Sequence, residues 1–167
     1  MENEKPKSEI QKHYRVLTDK LKRFLSKESP SDVLIIKAHL ICEYYLNQIL
    51  ILRELCTSKD LSKFTFNDKL EKSLDKTDGK EKDSFEAIKK LNKLRNKIGH
   101  ELEYSLSESD IDDLGFLRGK EYILEKYDFE TLPELLRNTL TIIVIDLSFI
   151  VFSIVDSQKK GPEKPRL

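Results

Sequence analysis

Apolar residues recur along most of this chain at intervals of three and four, the spacing that lines one side of a helix rather than one face of a strand. Ile10, Tyr14, Leu17, Leu21, Phe24 and Leu25 form one such stripe, opened by Ser8 with Gln11 three residues later as a capping-box pair. This first helix is expected to run to about Lys27. Ser29-Pro30-Ser31-Asp32 supplies a cap, a proline suited to a first turn and an early acid, and predicts a long central helix from Val33 to Leu55. Residues 57–63 are polar and read as a loop, after which Thr65 with Asp68 opens a short helix through about Leu74. The run 75–83 contains Gly79 and almost nothing apolar, and reads as a surface loop. A fourth helix is expected from Ser84, with Phe85, Ile88, Leu91, Leu94 and Ile98 inward and Lys89, Lys90, Lys93 and Lys97 toward water. Residues 101–129 mix acids with Gly115 and Gly119 and predict short helix and irregular chain. Thr131-Leu132-Pro133-Glu134 then caps a last long helix to about Asp156.

The β-branched run from Thr139 to Ile145 suits a strand by propensity, but no other segment offers it a partner, so it too is read as helix. The expected fold is all-α, an antiparallel bundle of about five helices in one domain over 8–156, with a flexible segment 1–7 and a disordered tail 157–167. A length of 167 residues fits that count. Lys plus Arg and Asp plus Glu both total 30, so no global field draws nucleic acid, and any such binding must come from a local patch. Cys42 and Cys56 offer neither metal-ligand spacing nor a disulfide framework, which fits a reducing cytoplasm. Residues 1–7 lack the apolar core of an export signal. The apolar run from Leu140 to Val155 holds Asp146 at its middle and falls short of the roughly 20 residues of a membrane span, so a buried helix or subunit contact is expected.

No phosphate-cradling glycine loop, zinc-spaced histidine pair or glycine-flanked serine is present, so neither a metal nor a cofactor is expected. Of His13, His39 and His100, only the last stands close to an arginine and a glycine, in Arg95-Asn96-Lys97-Ile98-Gly99-His100. Five positions separate Arg95 from His100 by ~140° on an ideal helix, so a shared face requires distortion, which Gly99 is placed to allow. Asn96, four before His100, is near enough to hydrogen-bond the ring or a phosphate. The same residues also read as an ordinary C-terminal cap with a surface histidine after it. His39 and Glu43, four apart, read as a hydrogen-bonded core histidine with its neighbour, or as an acid and base pair supporting a site. His13 reads as solvated. Lys90, Lys93 and Lys97 crowd a stretch that suits an RNA backbone, though such a run is more often a solvated helix face, and the acids Glu108, Asp110, Asp112 and Asp113 read by default as soluble surface, or as a site for a basic partner or a shield for the basic face.

Leu94-Arg95-Asn96-Lys97-Ile98-Gly99-His100 resembles the motif of HEPN domains: arginine, a polar residue, three spacers and histidine. The resemblance rests on six residues of motif and extends in architecture over about Ser31 to Asp156. It implies a small antiparallel helical bundle with the motif at the end of a late helix, and an acidic residue on the preceding helix facing it, here Glu43. Active members are metal-independent endoribonucleases, often toxins or phage-defence effectors, with two motifs meeting across a homodimer. Members controlled by a partner nucleotidyltransferase carry a tyrosine two residues after the histidine; here that position is Leu102 and the nearest tyrosine is Tyr104.

The chemistry of RNA cleavage agrees with that implication. Attack by the 2'-hydroxyl needs a base, an acid for the departing 5' oxygen and a cation for the phosphate, and histidine and arginine supply these. The expected function is an RNA endonuclease with Arg95 and His100 catalytic, Asn96 and Glu43 supporting, and Lys90, Lys93 and Lys97 on the RNA. Its partners are a second copy of the chain and an antitoxin or effector protein. The rival is a non-catalytic interaction module of the same fold, binding nucleotide at most, whose last helix makes the contact.

Overall fold

The computed structural model describes residues 16–114, except 18, 22, 27, 78 and 102, and residues 131–160. These form one all-helical domain, with no strand among the described residues. We label the helices α1 (Ser31–Leu52), α2 (Phe66–Leu74), α3 (Gly79–His100), α4 (Glu108–Leu114) and α5 (Leu132–Lys160). A 3-10 turn, Leu61–Lys63, precedes α2, and helical residues between 16 and 24 precede α1. α1 and α5 make the most extensive contact, α2 and α3 pack on α1, and α4 seats between α3 and α5.

The three-and-four spacing explains this packing. Leu34, Ile35, Ala38, Cys42, Leu46 and Ile49 put one side of α1 into the core, where Phe85, Ile88, Leu91 and Leu94 of α3 meet it. Leu136, Leu140, Val144 and Leu147 complete it from α5, and Ile111 and Leu114 from α4. Each of the larger of these, Val, Leu, Ile or Phe, stabilises the fold by about 1.5–3 kcal/mol. α1 and α5 are both long and apolar enough to cross a membrane, yet here each buries one side against the other. Cys42 is fully enclosed, and burial pushes its thiol up to about 12, so it acts as a small apolar residue.

Several boundaries differ from the sequence reading, each for a local reason. α1 begins after Pro30 with no side-chain cap. The Ser29 hydroxyl instead meets Ser26 Oγ at 3.2 Å and Lys37 Nζ at 3.2 Å, tying the preceding chain to α1. Phe24, expected inward, is 47% exposed, its ring 5.3 Å from Lys37 Nζ; Leu21 and Leu25 are the buried members of that stripe. α1 stops at Leu52 rather than Leu55 because Glu54 takes a left-handed φ of 57° and Leu55 N donates back to Leu50 O at 2.9 Å. Thr65 and Asp68 do form the reciprocal box that opens α2. α3 starts at Gly79, not Ser84, which shortens the expected loop 75–83. Its first turn is polar because it faces water, and Glu81 there suits the helix dipole and pairs with Arg53 beyond the end of α1. α5 continues past Asp156 to Lys160, so residues 157–160 are helix rather than tail. Gln158 Nε2 donates to Leu52 O at 2.8 Å, fastening that last turn to the end of α1. The stretch Thr139 to Ile145 is helical. The Ser8 and Gln11 cap, His13, Leu102, residues 115–129 and the tail beyond 160 lie outside the described residues.

Candidate nucleic-acid interface

Twenty-two residues carry α3 from Gly79 through His100, and its last two turns present the motif. Arg95 and His100 are both exposed. Gly99 remains helical, and a Cβ placed there would meet nothing within 4 Å. The expected loosening at Gly99 does not occur, because nothing packs against that turn to deform it. Arg95 and His100 therefore stay ~140° apart around a regular helix. Asn96 does not reach the imidazole either: its Oδ1 accepts from Arg95 Nη1 at 2.8 Å. Within one chain the arginine and histidine do not converge.

They belong to different sides of α3. Arg95 lies ~60° around the axis from Asn92, on the side toward α1 and α2, whereas His100 lies within ~60° of Lys93 and Lys97. On the first side the polar groups are occupied by one another. His39 of α1 is 3% exposed, and its Nε2 sits 2.9 Å from Asn92 Oδ1. The Asn92 amide nitrogen donates to Asn67 Oδ1 at 2.9 Å, which turns the Asn92 carbonyl toward the ring and assigns the proton to His39 Nε2. The ring also stacks on Phe66 at 4.1 Å. Burial lowers the pKa of His39 below its ordinary 6.5; Asn92 pulls the other way, the Arg95 charge adds to the lowering, and Glu43 opposes it. His39 is the hydrogen-bonded core histidine of the two readings. Glu43 does share this side with Arg95, but its Oε1 accepts from Lys69 Nζ at 2.6 Å, and Lys69 has a side chain only 7% exposed. The acid matched to the motif is thus already paired, with α2.

The second side is open. A cavity of about 220 Å³ lies between α3 and α4, floored by Leu94 and Leu114. Lys90, Lys93 and Lys97 form its α3 wall, and Asp110 and Asp113 its α4 wall. Lys97 Nζ lies 3.6 Å from Asp110 Oδ1 and 5.7 Å from the centre of the Tyr104 ring. Ser107 caps α4 by accepting from Asp110 N at 3.3 Å, while its own N and Oγ donate to Asp110 Oδ2. Desolvation pushes the Asp110 carboxyl up, but hydrogen bonds from Ser107, the nearby Tyr104 hydroxyl and the Lys97 charge outweigh it and hold the group at about 2. Lys90, Lys93 and Asp113 are exposed and hold no ion pair among the described residues.

The sequence reading missed Asn67, Asn92 and Lys69 as partners of His39 and Glu43; of its readings of the α4 acids, Asp110 follows the one that sets them against the basic face, beside Lys97. One signal was available: a histidine on the apolar side of α1 needs a buried partner, and Asn92 interrupts the inward stripe between Leu91 and Leu94. No group of three or more potential metal ligands occurs among the described residues. No family model, curated protein or solved structure matches the chain.

Proposed function

We propose that this chain is a metal-independent RNA endonuclease of the HEPN kind, cytoplasmic, acting as a homodimer in a toxin or antiviral role. The observation that supports it is the end of α3, where an exposed His100 shares a side with Lys93 and Lys97 and an exposed Arg95 stands one and a half turns away. In the reaction a base takes the 2'-hydroxyl proton and the 2' oxygen forms its bond to phosphorus. The bond to the 5' oxygen breaks, and an acid protonates that oxygen, leaving a 2',3'-cyclic phosphate and a 5'-hydroxyl. One imidazole does not serve as base and acid in the same step, and one chain does not place Arg95 beside His100. A two-fold axis at the ends of two α3 helices supplies a second histidine and brings one copy's arginine to the other's phosphate.

Glu43 has a reduced part in this mechanism, since Lys69 holds it; it acts through the field around His39 and Arg95 and not on the RNA. Incubating purified wild type and His100→Ala with total RNA and tRNA in EDTA, followed by end-group analysis, tests the reading. Cleavage to cyclic-phosphate ends by wild type, reduced by about 10²–10⁴ in the variant, is the expected result. Absence of cleavage by the folded dimer on all these substrates would overturn it.

One observation favours a second reading. Ile36, Leu40 and Tyr44, spaced by four along α1, are 45%, 58% and 58% exposed, an apolar stripe of the sort that docks another protein. The module reading had assigned that contact to the last helix, but α5 gives much of its apolar surface to α1. A Leu40→Glu, Tyr44→Glu variant that loses biological activity, while His100→Ala keeps it, would favour the non-catalytic module.

A further inference from the structure

The cavity between α3 and α4 has the wrong charge pattern for a phosphate and the right one for a base. Leu94 and Leu114 close its bottom, buried in the core, and the aliphatic stems of Lys90, Lys93 and Lys97 supply the accessible apolar wall against which a flat ring can lie. At about 220 Å³ it is below the roughly 300–1,000 Å³ of sites for drug-sized ligands, and so takes one ring system rather than a whole nucleotide. A phosphate inside would meet Asp110, whose carboxyl is ionised and already engaged by Ser107 and Lys97. Phosphates are therefore excluded from the interior and held at the rim, where Lys90 and Lys93 are exposed. The opposite rim carries Asp113, a carboxylate without a protein partner among the described residues, able to accept two adjacent N–H donors.

From this we infer that the cavity between α3 and α4 is a base-reading subsite for single-stranded RNA. It seats a purine against the aliphatic stems of the α3 lysines with its donor edge on Asp113 and its phosphates on the Lys90 and Lys93 ammonium groups. Guanine fits best, because its Watson–Crick edge offers two neighbouring N–H donors to one carboxylate, whereas uracil offers one N–H between two carbonyls that the carboxylate repels. His100 follows Lys97 by three residues, so the imidazole and the lysine wall of the cavity lie on the same side of α3. The subsite rests on the ribonuclease reading for its biological use but not for its chemistry. It selects a guanine next to the cleaved bond.

The test is a binding measurement on the intact protein with fluorescent RNA hexamers, 2'-O-methylated so that cleavage is blocked. A hexauridylate is compared with the same strand carrying one central guanine. The guanine strand is expected to bind about tenfold more tightly. Asp113→Asn is expected to collapse that ratio, and Lys93→Ala to weaken both strands in proportion and lower the salt slope by about one. Equal affinities for the two wild-type complexes, or a ratio that survives Asp113→Asn, would overturn the subsite. A guanine preference in a protein that cuts no RNA supports the subsite and overturns the ribonuclease reading, while cleavage without any preference does the reverse.

Discussion

Toward α1 and α2, Asn92 of α3 faces partners fixed by the fold, joining His39 to Asn67, while Arg95 at the edge of that side is exposed. Toward α4 and solvent, Lys90, Lys93 and His100 are exposed beside a cavity and pair with nothing among the described residues. Both sets are polar residues of one helix. What separates them is the neighbour: α2 and α1 close over the first side at van der Waals distance, with the His39 ring 4.1 Å from Phe66, whereas short α4 leaves a gap. A buried polar group must be satisfied within the protein, so the first side contributes stability and specificity of packing. An exposed cation is satisfied by water at little cost, so the second side is free to exchange that water for a ligand.

Substitution on the two sides separates these roles. Asn92→Ala leaves the His39 Nε2 proton buried and unbonded, and is expected to lower unfolding stability by about 1–3 kcal/mol. At about 2–4 °C of melting temperature per kcal/mol for a chain of this size, thermal unfolding reads the change directly. Lys93→Ala and His100→Ala are expected to stay within about 0.5 kcal/mol of wild type, their effects falling on RNA instead. Equal destabilisation by Asn92→Ala and His100→Ala would break the comparison, because it would show that the end of α3 is structural on both sides.

Most of the architecture was legible in the periodicity, because the fold stabilises its helices through apolar stripes that the sequence displays openly. Phe85, Ile88, Leu91 and Leu94 are core residues as their spacing requires, and Thr65 with Asp68 caps α2 as the short-range chemistry requires. The ends of α3 and α5 were not legible, since residues 79–83 and 157–160 are polar and their helicity depends on tertiary clamps from Arg53 and to Leu52 O. The site divides in the same way. Arg95 and His100 are where the motif placed them along the helix, but their separation around it depends on whether Gly99 yields, and a glycine permits either outcome. Glu43 was assigned to the motif from its position on α1 alone; Lys69, 26 residues later, captures it.

The buried side also carries a pH dependence of its own. His39 has a lower pKa in the folded protein than its ordinary 6.5, chiefly through burial. Above that value the imidazole is neutral in both states and its contribution is intact. As pH falls through about 6.5, the unfolded chain takes up the proton first, so stability decreases toward acid with a limiting slope of about 1.4 kcal/mol per pH unit. Melting temperatures followed from pH 7.5 to pH 5 are expected to fall, and His39→Gln is expected to flatten that fall. A profile unchanged in His39→Gln would mean that another group carries it. The Asp110 carboxyl, held at about 2, acts in a separate window: its contribution is present above about 4 and is lost as pH drops toward 2.

The smallest effect bears most directly on how the motif is presented. If the turn at Gly99 is regular and open, replacing its glycine by alanine restricts the unfolded chain, adds helix propensity and meets no neighbour within 4 Å. Gly99→Ala is therefore expected to stabilise the protein by about 0.5–1 kcal/mol and raise its melting temperature by a few degrees. If the proposed homodimer supplies the meeting of Arg95 and His100, the variant is also expected to leave cleavage intact, since the regular helix already holds the two apart. A glycine required to bend the helix gives the opposite signs, a loss of stability where the bend must form and a loss of cleavage where Arg95 and His100 must meet within one chain. The variant thus distinguishes a site completed across two copies from one completed by local distortion. A gain in stability with cleavage retained leaves only the two-copy arrangement consistent with the ~140° between the two side chains.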